Sequence, residues 1–148
     1  MKLNLIITLL TAFLISSCAA TQDKQEVMEL ANTSWQLVSY QSMDDSQGTT
    51  RTDDPKKYTL TFSVNGKVSL RLDCNRGTGS WQSTPSADGN SGSVKFGPIA
   101  ATRALCPQPS MGEKLARDLS YVRSYLLKDG MLYLSIMADA GIYEWKAE

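Results

Sequence analysis

The chain has 148 residues, of which 42% are hydrophobic, and its 15 lysines and arginines are balanced by 15 aspartates and glutamates. A chain without a basic excess is not expected to bind nucleic acid, because such binding depends on a basic face. Histidine is absent, which excludes serine triads of the usual kind and cysteine–histidine dyads, and removes the commonest general base and transition-metal ligand. The length predicts one globular domain.

The N-terminus has the pattern of a secretory signal. Lys2 is followed by an apolar run over residues 3–15, which is too short to span a bilayer as a helix. The run ends in ISSC, which resembles the lipoprotein box of bacteria, with two small residues before Cys18. We therefore expect Cys18 to receive lipid and to become the mature N-terminus, rather than the run to act as a transmembrane anchor.

This reading divides the chain into three parts. Residues 1–17 are predicted to be the signal peptide, residues 18–30 a lipidated tether, and residues 31–148 the folded domain. Ala19 follows Cys18, whereas an aspartate at that position would be expected to retain a lipoprotein in the inner membrane. The predicted location is therefore the periplasmic face of the outer membrane. The predicted anchor is of the palmitate type and is expected to be stable, because a single acyl chain binds a membrane only weakly whereas several chains bind it firmly.

The folded part begins with strand periodicity. Residues 35–40 alternate in polarity, and the polar residues 41–57 indicate an exposed loop. Two further segments, 58–64 and 67–72, alternate with period two on either side of Asn65-Gly66, which is the preferred pair for a type I′ hairpin turn. The side chains predicted to face the core are Tyr58, Leu60, Phe62, Val64, Val68, Leu70 and Leu72.

The middle of the chain is less regular. A glycine-rich turn at 75–79, a short strand around Trp81 and a polar loop at 83–92 precede a strand over 93–96. Residues 99–109 are predicted to form an irregular segment that contains Cys106-Pro107.

One amphipathic helix is predicted next. Ser110 and Glu113 have the spacing of a capping box. Four apolar residues then follow at helical spacing, namely Leu115, Leu119, Val122 and Leu126. Lys128 and Gly130 fit the end of such a helix, and two strands over 131–137 and 142–145 close the chain. The pattern predicts roughly six to eight antiparallel strands covered by this helix.

Two cysteines remain once Cys18 carries lipid. In an exported protein Cys74 and Cys106 are expected to form a disulfide bond. Two alternatives stay open, namely buried free thiols, and a reactive thiol whose pKa is lowered by Arg76 or Arg103.

Taken in order, these landmarks resemble the META domain, the HslJ-like family of small bacterial envelope proteins. The residues that carry the resemblance are NTSWQL at 32–37, YTLTF at 58–62, Cys74-Asn75-Arg76 with Gly79, FGP at 96–98, Thr102-Arg103, Cys106-Pro107, Met111 and Glu113. Asp73 departs from the family pattern, in which glycine usually precedes the cysteine.

The resemblance implies an α+β, mainly β fold, in which a strongly curved antiparallel sheet forms an incomplete barrel with the amphipathic helix packed on it. It implies no established enzymatic activity, and proteins of this kind are linked to envelope stress and antibiotic tolerance. Relatives of the fold have been proposed to hold an acyl chain.

Candidate site residues follow from these landmarks. Asn75, Arg76, Thr102 and Arg103 are expected either to support the loop around Cys106 or to bind an anionic group of a ligand. The large aromatic residues are expected to pack in the core or to line a cavity, and they are Trp35, Phe62, Trp81 and Trp145. Four aspartates in the 41–57 loop lack the spacing of a calcium loop. No metal, cofactor or catalytic residue is predicted.

The sequence thus predicts a non-catalytic, monomeric lipoprotein that supports envelope integrity or stress tolerance through a protein partner or an apolar ligand. One alternative is a lipid or hydrophobe carrier that uses a half-open barrel, and another is a thiol-dependent enzyme.

Overall fold

The computed structural model describes residues 30–148, so the predicted signal peptide and the lipidation site at Cys18 lie outside the described residues. In the described part the chain forms ten β-strands and one α-helix. The strands are β1 (Thr33–Ser42), β2 (Thr49–Arg51), β3 (Tyr58–Phe62), β4 (Lys67–Leu72), β5 (Asn75–Pro85), β6 (Ser91–Phe96), β7 (Ala100–Ala101), β8 (Val122–Lys128), β9 (Met131–Ile136) and β10 (Gly141–Ala147). Helix α1 (Gly112–Asp118) continues as a 3-10 turn over Leu119–Tyr121.

Eight of the strands form a closed antiparallel barrel in the order β1–β3–β4–β5–β6–β8–β9–β10. The closure is made by β1, which pairs with β3 and also with β10, from Trp35 opposite Ala147 to Ser42 opposite Gly141. The predicted incomplete barrel is therefore wrong, although the mainly β class is confirmed. Closure follows from the length of β1, which has ten residues. One edge of β1 pairs with β10 along most of its length, and the other edge pairs first with β3 and then with the short β2.

Side chains fill the interior of the barrel, as expected for eight strands, which enclose a space just wide enough for them. The largest fully buried residues are Trp35, Trp145, Tyr58, Tyr143, Phe62, Leu30, Leu37, Leu60, Leu72, Leu115, Leu119 and Leu132. Phe62 also contacts the partly buried Trp81, with ring centroids 4.9 Å apart. The candidate cavity-lining aromatics therefore pack in or against the core.

The two ends of the barrel differ. At the N-terminal end, β1 begins beside the end of β3, where the Asn32 amide donates to the Phe62 carbonyl at 2.8 Å. At the helix end, α1 lies beside the start of β3, where the Met111 amide donates to the Tyr58 hydroxyl oxygen at 3.0 Å. Strand β4 runs from the first end to the second, so the turn that contains Cys74 lies at the helix end.

The β3–β4 hairpin forms where predicted, but its turn differs. Phe62 pairs with Val68, and the Ser63 amide donates to the Lys67 carbonyl, which leaves a three-residue loop over 64–66. Gly66 has a φ of 73°, whereas Asn65 is not in the left-handed region, so the type I′ prediction is wrong. Val64 lies in this loop and is 70% exposed instead of facing the core.

The predicted helix is too long. It ends after Asp118 and the following 3-10 turn, and Val122 and Leu126 lie in strand β8. The capping box does not form, because the helix begins after Met111 without a side-chain cap. β8 fills the position between β6 and β9, so strand pairing overrides the local helical spacing.

Candidate functional site

Cys74 and Cys106 lie in the connections that meet at the helix end. Their sulfur atoms are 1.97 Å apart and their Cα atoms 5.6 Å apart, which places them at disulfide distance as predicted. Cys74 follows Asp73 in the tight turn between β4 and β5, and Asp73 has a φ of 64°. This left-handed conformation favours glycine, which accounts for the residue that the family usually has there.

The glycine-rich stretch after Cys74 was predicted to be a turn. It instead forms the first half of strand β5. Gly77 and Gly79 face the side chain of Ile99, and a Cβ atom at either glycine would lie within 3.1 Å of it. The glycines therefore make room for the segment that leads through β7 to Cys106.

Asn75 holds residues 102–106, which we call the disulfide loop. Its Nδ2 group donates to the Ala104 carbonyl at 2.9 Å, and its Oδ1 atom accepts from the Ala104 amide at 2.7 Å. The Thr102 hydroxyl donates to the same Oδ1 atom at 2.8 Å and accepts from the Arg76 amide at 3.0 Å. Of the predicted polar residues, Asn75 therefore binds the backbone of the loop, and Thr102 ties the loop to Asn75 and to the backbone of β5.

The side chains of Arg76 and Arg103 behave differently. Both residues are exposed, and neither side chain makes a hydrogen bond or ion pair within residues 30–148. Their charges are therefore available to a molecule outside the chain.

A second polar cluster lies at the same end, and the sequence analysis missed it. Lys114 and Asp118 form an ion pair on α1, and the Tyr143 hydroxyl donates to Asp118 at 2.8 Å. The Lys114 ammonium also lies 3.8 Å from the centre of the Tyr40 ring, a distance at which the ring face attracts a cation. We call these four residues the lysine cluster.

The lysine cluster is partly shielded from water. The side chain of Asp118 is 14% exposed and that of Lys114 is 38% exposed, while Tyr143 is fully buried. Burial, together with the negative charge of Asp118, raises the pKa of Tyr143 well above its usual range. Tyr143 therefore remains a neutral hydrogen-bond donor to Asp118.

An open pocket of about 340 Å³ lies above the lysine cluster. Its lining is formed by Tyr40, Lys114, Asp118, Tyr121, Ile136, Met137, Ala138 and Ala140. Tyr121 and Met137 are exposed, and so is Met43, whose amide donates to the Ala140 carbonyl at 3.4 Å. Two of the exposed large apolar residues, Tyr121 and Met137, thus line one open pocket beside the ion pair of Lys114 and Asp118, and apolar walls with a few polar groups are common in binding sites. We call it the helix-end pocket.

The sequence carries only a weak signal for this pocket. Lys114 and Asp118 have the i, i+4 spacing of an ordinary helix ion pair. Tyr40 and Tyr143 are brought opposite each other by the pairing of β1 with β10, which an incomplete barrel does not require. Closure of the barrel was the missing information.

Acidic residues do not form a metal site in the described part of the chain. Within residues 30–148, no three histidine, cysteine, aspartate or glutamate side chains are grouped as metal ligands. Three of the four aspartates of the 41–57 segment have local partners: Asp44 accepts from Ser46, Asp53 accepts from Lys57 at 2.6 Å, and Asp54 accepts from the Lys56 amide at 2.9 Å. None of the helices in the described residues is long and apolar enough to cross a membrane.

Fold and pocket together define a small closed β-barrel with a filled interior and a surface site at its helix end. Residues 28–144 match the META domain, and the chain belongs to this family, which confirms the resemblance. No protein with a curated function matches the sequence.

Two solved structures are similar to the fold. One is the NMR structure of a protein from Burkholderia xenovorans, with a TM-score of 0.58 and 21% identity over 80% of this chain and 83% of the other. The second is the crystal structure of a DUF4847 family protein from Bacteroides vulgatus, with a TM-score of 0.52 and 12% identity over 79% of this chain and 93% of the other. At these identities the likeness establishes the fold alone.

Proposed function

We propose that the protein is a non-catalytic, lipid-anchored envelope protein that binds an apolar group of a partner or ligand in the helix-end pocket. The observation that carries the proposal is the pocket itself, where Tyr121, Ile136 and Met137 surround the ion pair of Lys114 and Asp118. Apolar walls supply binding energy, and convergent polar groups orient the bound molecule.

The barrel interior is not the proposed site. Because the barrel is closed and filled by residues such as Trp35 and Trp145, a carrier that uses a half-open barrel loses its structural basis. A thiol-dependent enzyme is also disfavoured, since Cys74 and Cys106 lie at disulfide distance. A surface pocket remains compatible with a protein side chain or a small apolar ligand.

The pocket and the start of the described chain lie at opposite ends of the barrel. The described chain starts at Leu30 at the N-terminal end of the barrel, while the pocket lies at the helix end. The lipidated Cys18 is proposed to anchor the protein at the periplasmic face of the outer membrane, where the pocket binds a partner involved in envelope integrity or stress tolerance.

Native mass spectrometry of full-length protein purified from membranes tests the proposal. Met137→Asp places a charge in the pocket, and Val64→Asp is the matched control, because Val64 is 70% exposed at the N-terminal end. We expect a bound molecule to be retained by wild type and Val64→Asp and lost from Met137→Asp. Retention by Met137→Asp would refute binding in the pocket.

Membrane fractionation of a Cys18→Ala variant tests the lipid anchor. If this variant associates with membranes as wild type does, the proposed anchor is wrong.

A further inference from the structure

Leu105, at the tip of the disulfide loop, has an unusual position for a leucine. It is 96% exposed, whereas the other exposed large apolar residues of the described chain reach 70% at most. An isolated apolar side chain on a surface is common. It becomes informative when the backbone that carries it is fixed and its surroundings complement a partner.

The backbone around Leu105 is fixed on both sides. Asn75 binds the amide and the carbonyl of the preceding residue, Ala104, at 2.7 and 2.9 Å. The following residue, Cys106, is buried and lies at disulfide distance from Cys74. The backbone that carries Leu105 is therefore held in one conformation, which lowers the entropy that a complex must lose when it forms.

Arg103 lies within this loop, and Arg76 borders it through the hydrogen bond from its amide to the Thr102 hydroxyl. Arg71 and Arg76 lie directly opposite each other on β4 and β5, and both are exposed. Like charges in this position are unfavourable, yet neither arginine forms an ion pair within residues 30–148, and neither does Arg103. The charges of the three arginines are therefore not neutralised by an ion pair within the described residues.

We propose that the disulfide loop, together with Arg71 and Arg76, is a docking surface for a partner protein that offers an apolar pocket bordered by carboxylates. Leu105 fills the pocket as an apolar anchor, and the arginines pair with the acidic border. A fixed anchor at the centre of charged contacts is the arrangement by which small interfaces gain affinity and orientation. The surface differs from the helix-end pocket, so this proposal does not depend on a ligand in that pocket.

A photoreactive amino acid at position 105 of the full-length protein in its native envelope tests this surface. The matched control carries the same group at Val64, which is exposed at the opposite end of the barrel. We expect a protein adduct from position 105 and none from position 64. The adduct yield should fall at least about fivefold in an Arg71→Glu, Arg76→Glu background, because charge reversal opposes an acidic border. The crosslinked peptide of the partner should carry carboxylates beside its apolar contact.

Several results would overturn the proposal. They are an absent adduct, equal adducts from both positions, an adduct only with lipid or with a second copy of this chain, and a yield that is unchanged by charge reversal. If the double variant melts earlier than wild type, Arg103→Glu replaces it in the same comparison. Loss of the adduct in a correctly folded Arg103→Glu protein would then support the docking surface, and an unchanged yield would refute it.

Discussion

The two polar clusters at the helix end of the barrel are built in opposite ways. The disulfide loop is held by a covalent bond between two cysteines that are 32 positions apart in the sequence. It is also held by neutral hydrogen bonds from Asn75. The lysine cluster depends on an ion pair and on Tyr143, which is placed beside Tyr40 by closure of the barrel. A covalent link acts mainly on the unfolded chain, whereas an ion-paired cluster acts only once the barrel is folded. The loop is therefore suited to rigid presentation, and the pocket is tied to the integrity of the whole barrel.

Removal of the disulfide bond is expected to have the largest effect. Replacement of Cys74 and Cys106 by serine should lower the free energy of unfolding by about 3–4 kcal/mol, because the bond limits the unfolded chain. Denaturant titration of oxidised wild type and the double variant measures this difference. A loss below about 1 kcal/mol would mean that Asn75 is sufficient to hold the loop.

Disruption of the lysine cluster is expected to have the next largest effect. Asp118→Ala removes the partner of Lys114 and leaves the buried Tyr143 hydroxyl without its acceptor, which should cost about 2–3 kcal/mol. The control is Glu113→Ala, which removes an exposed carboxylate from the same helix. Equal melting of the two variants would show that the cluster adds no stability beyond that of a surface charge.

The lysine cluster should also make stability dependent on alkaline pH. Because the pKa of Tyr143 is raised in the folded protein, its stabilising contribution is complete below about pH 10, where the unfolded chain is also protonated. Above that pH the unfolded chain loses its proton first, and stability falls by about 1.4 kcal/mol per pH unit from this residue. Denaturation at several pH values should give a shallower fall for Tyr143→Phe than for wild type. Parallel curves would contradict the burial of this phenol.

Loss of the loop's hydrogen bonds is expected to cost less than loss of the ion pair. Asn75→Ala should lower the free energy of unfolding by about 1 kcal/mol, because the groups it leaves unpaired are near solvent. Hydrogen exchange should show faster exchange of the Ala104 amide, which Asn75 otherwise binds. If Asn75→Ala destabilises the protein more than Asp118→Ala, the ranking of the two clusters is reversed.

Asp73→Gly is expected to have the smallest effect and the opposite sign. Since Asp73 has a φ of 64°, glycine relieves the left-handed conformation and should raise the free energy of unfolding by roughly 0.5 kcal/mol. Thermal melting of Asp73→Gly against wild type measures the change. Destabilisation by the glycine would show that the Asp73 side chain stabilises this turn.

Two glycine turns show how far local sequence predicts structure. Asn65-Gly66 has the preferred residues for a type I′ turn, but its loop has three residues and only Gly66 is left-handed. Gly130, which was interpreted with Lys128 as the end of a helix, forms with Asp129 a two-residue turn that joins β8 to β9, and both turn residues have a positive φ. The residue types predicted that a turn occurs, while pairing of the flanking strands selected its type.

Helix length gives the same result. Leu115 and Leu119 lie on the buried face of the helix as predicted. Val122 continues the helical spacing, yet it belongs to a strand, because the sheet needs β8 between β6 and β9 before the barrel can close. Periodicity of apolar residues cannot separate the end of a helix from the start of a strand when the two elements follow directly.

The linear order of residues was enough for the family, the mainly β class, the strands around residues 58–72 and the pairing of Cys74 with Cys106. Each of these depends on local patterns or on the number of cysteines. Folding in three dimensions added the closure of the barrel, the filled interior and the pocket beside Lys114. These features arise because β1 pairs with β10 over more than a hundred positions of sequence, and no local pattern records a pairing between strands so far apart.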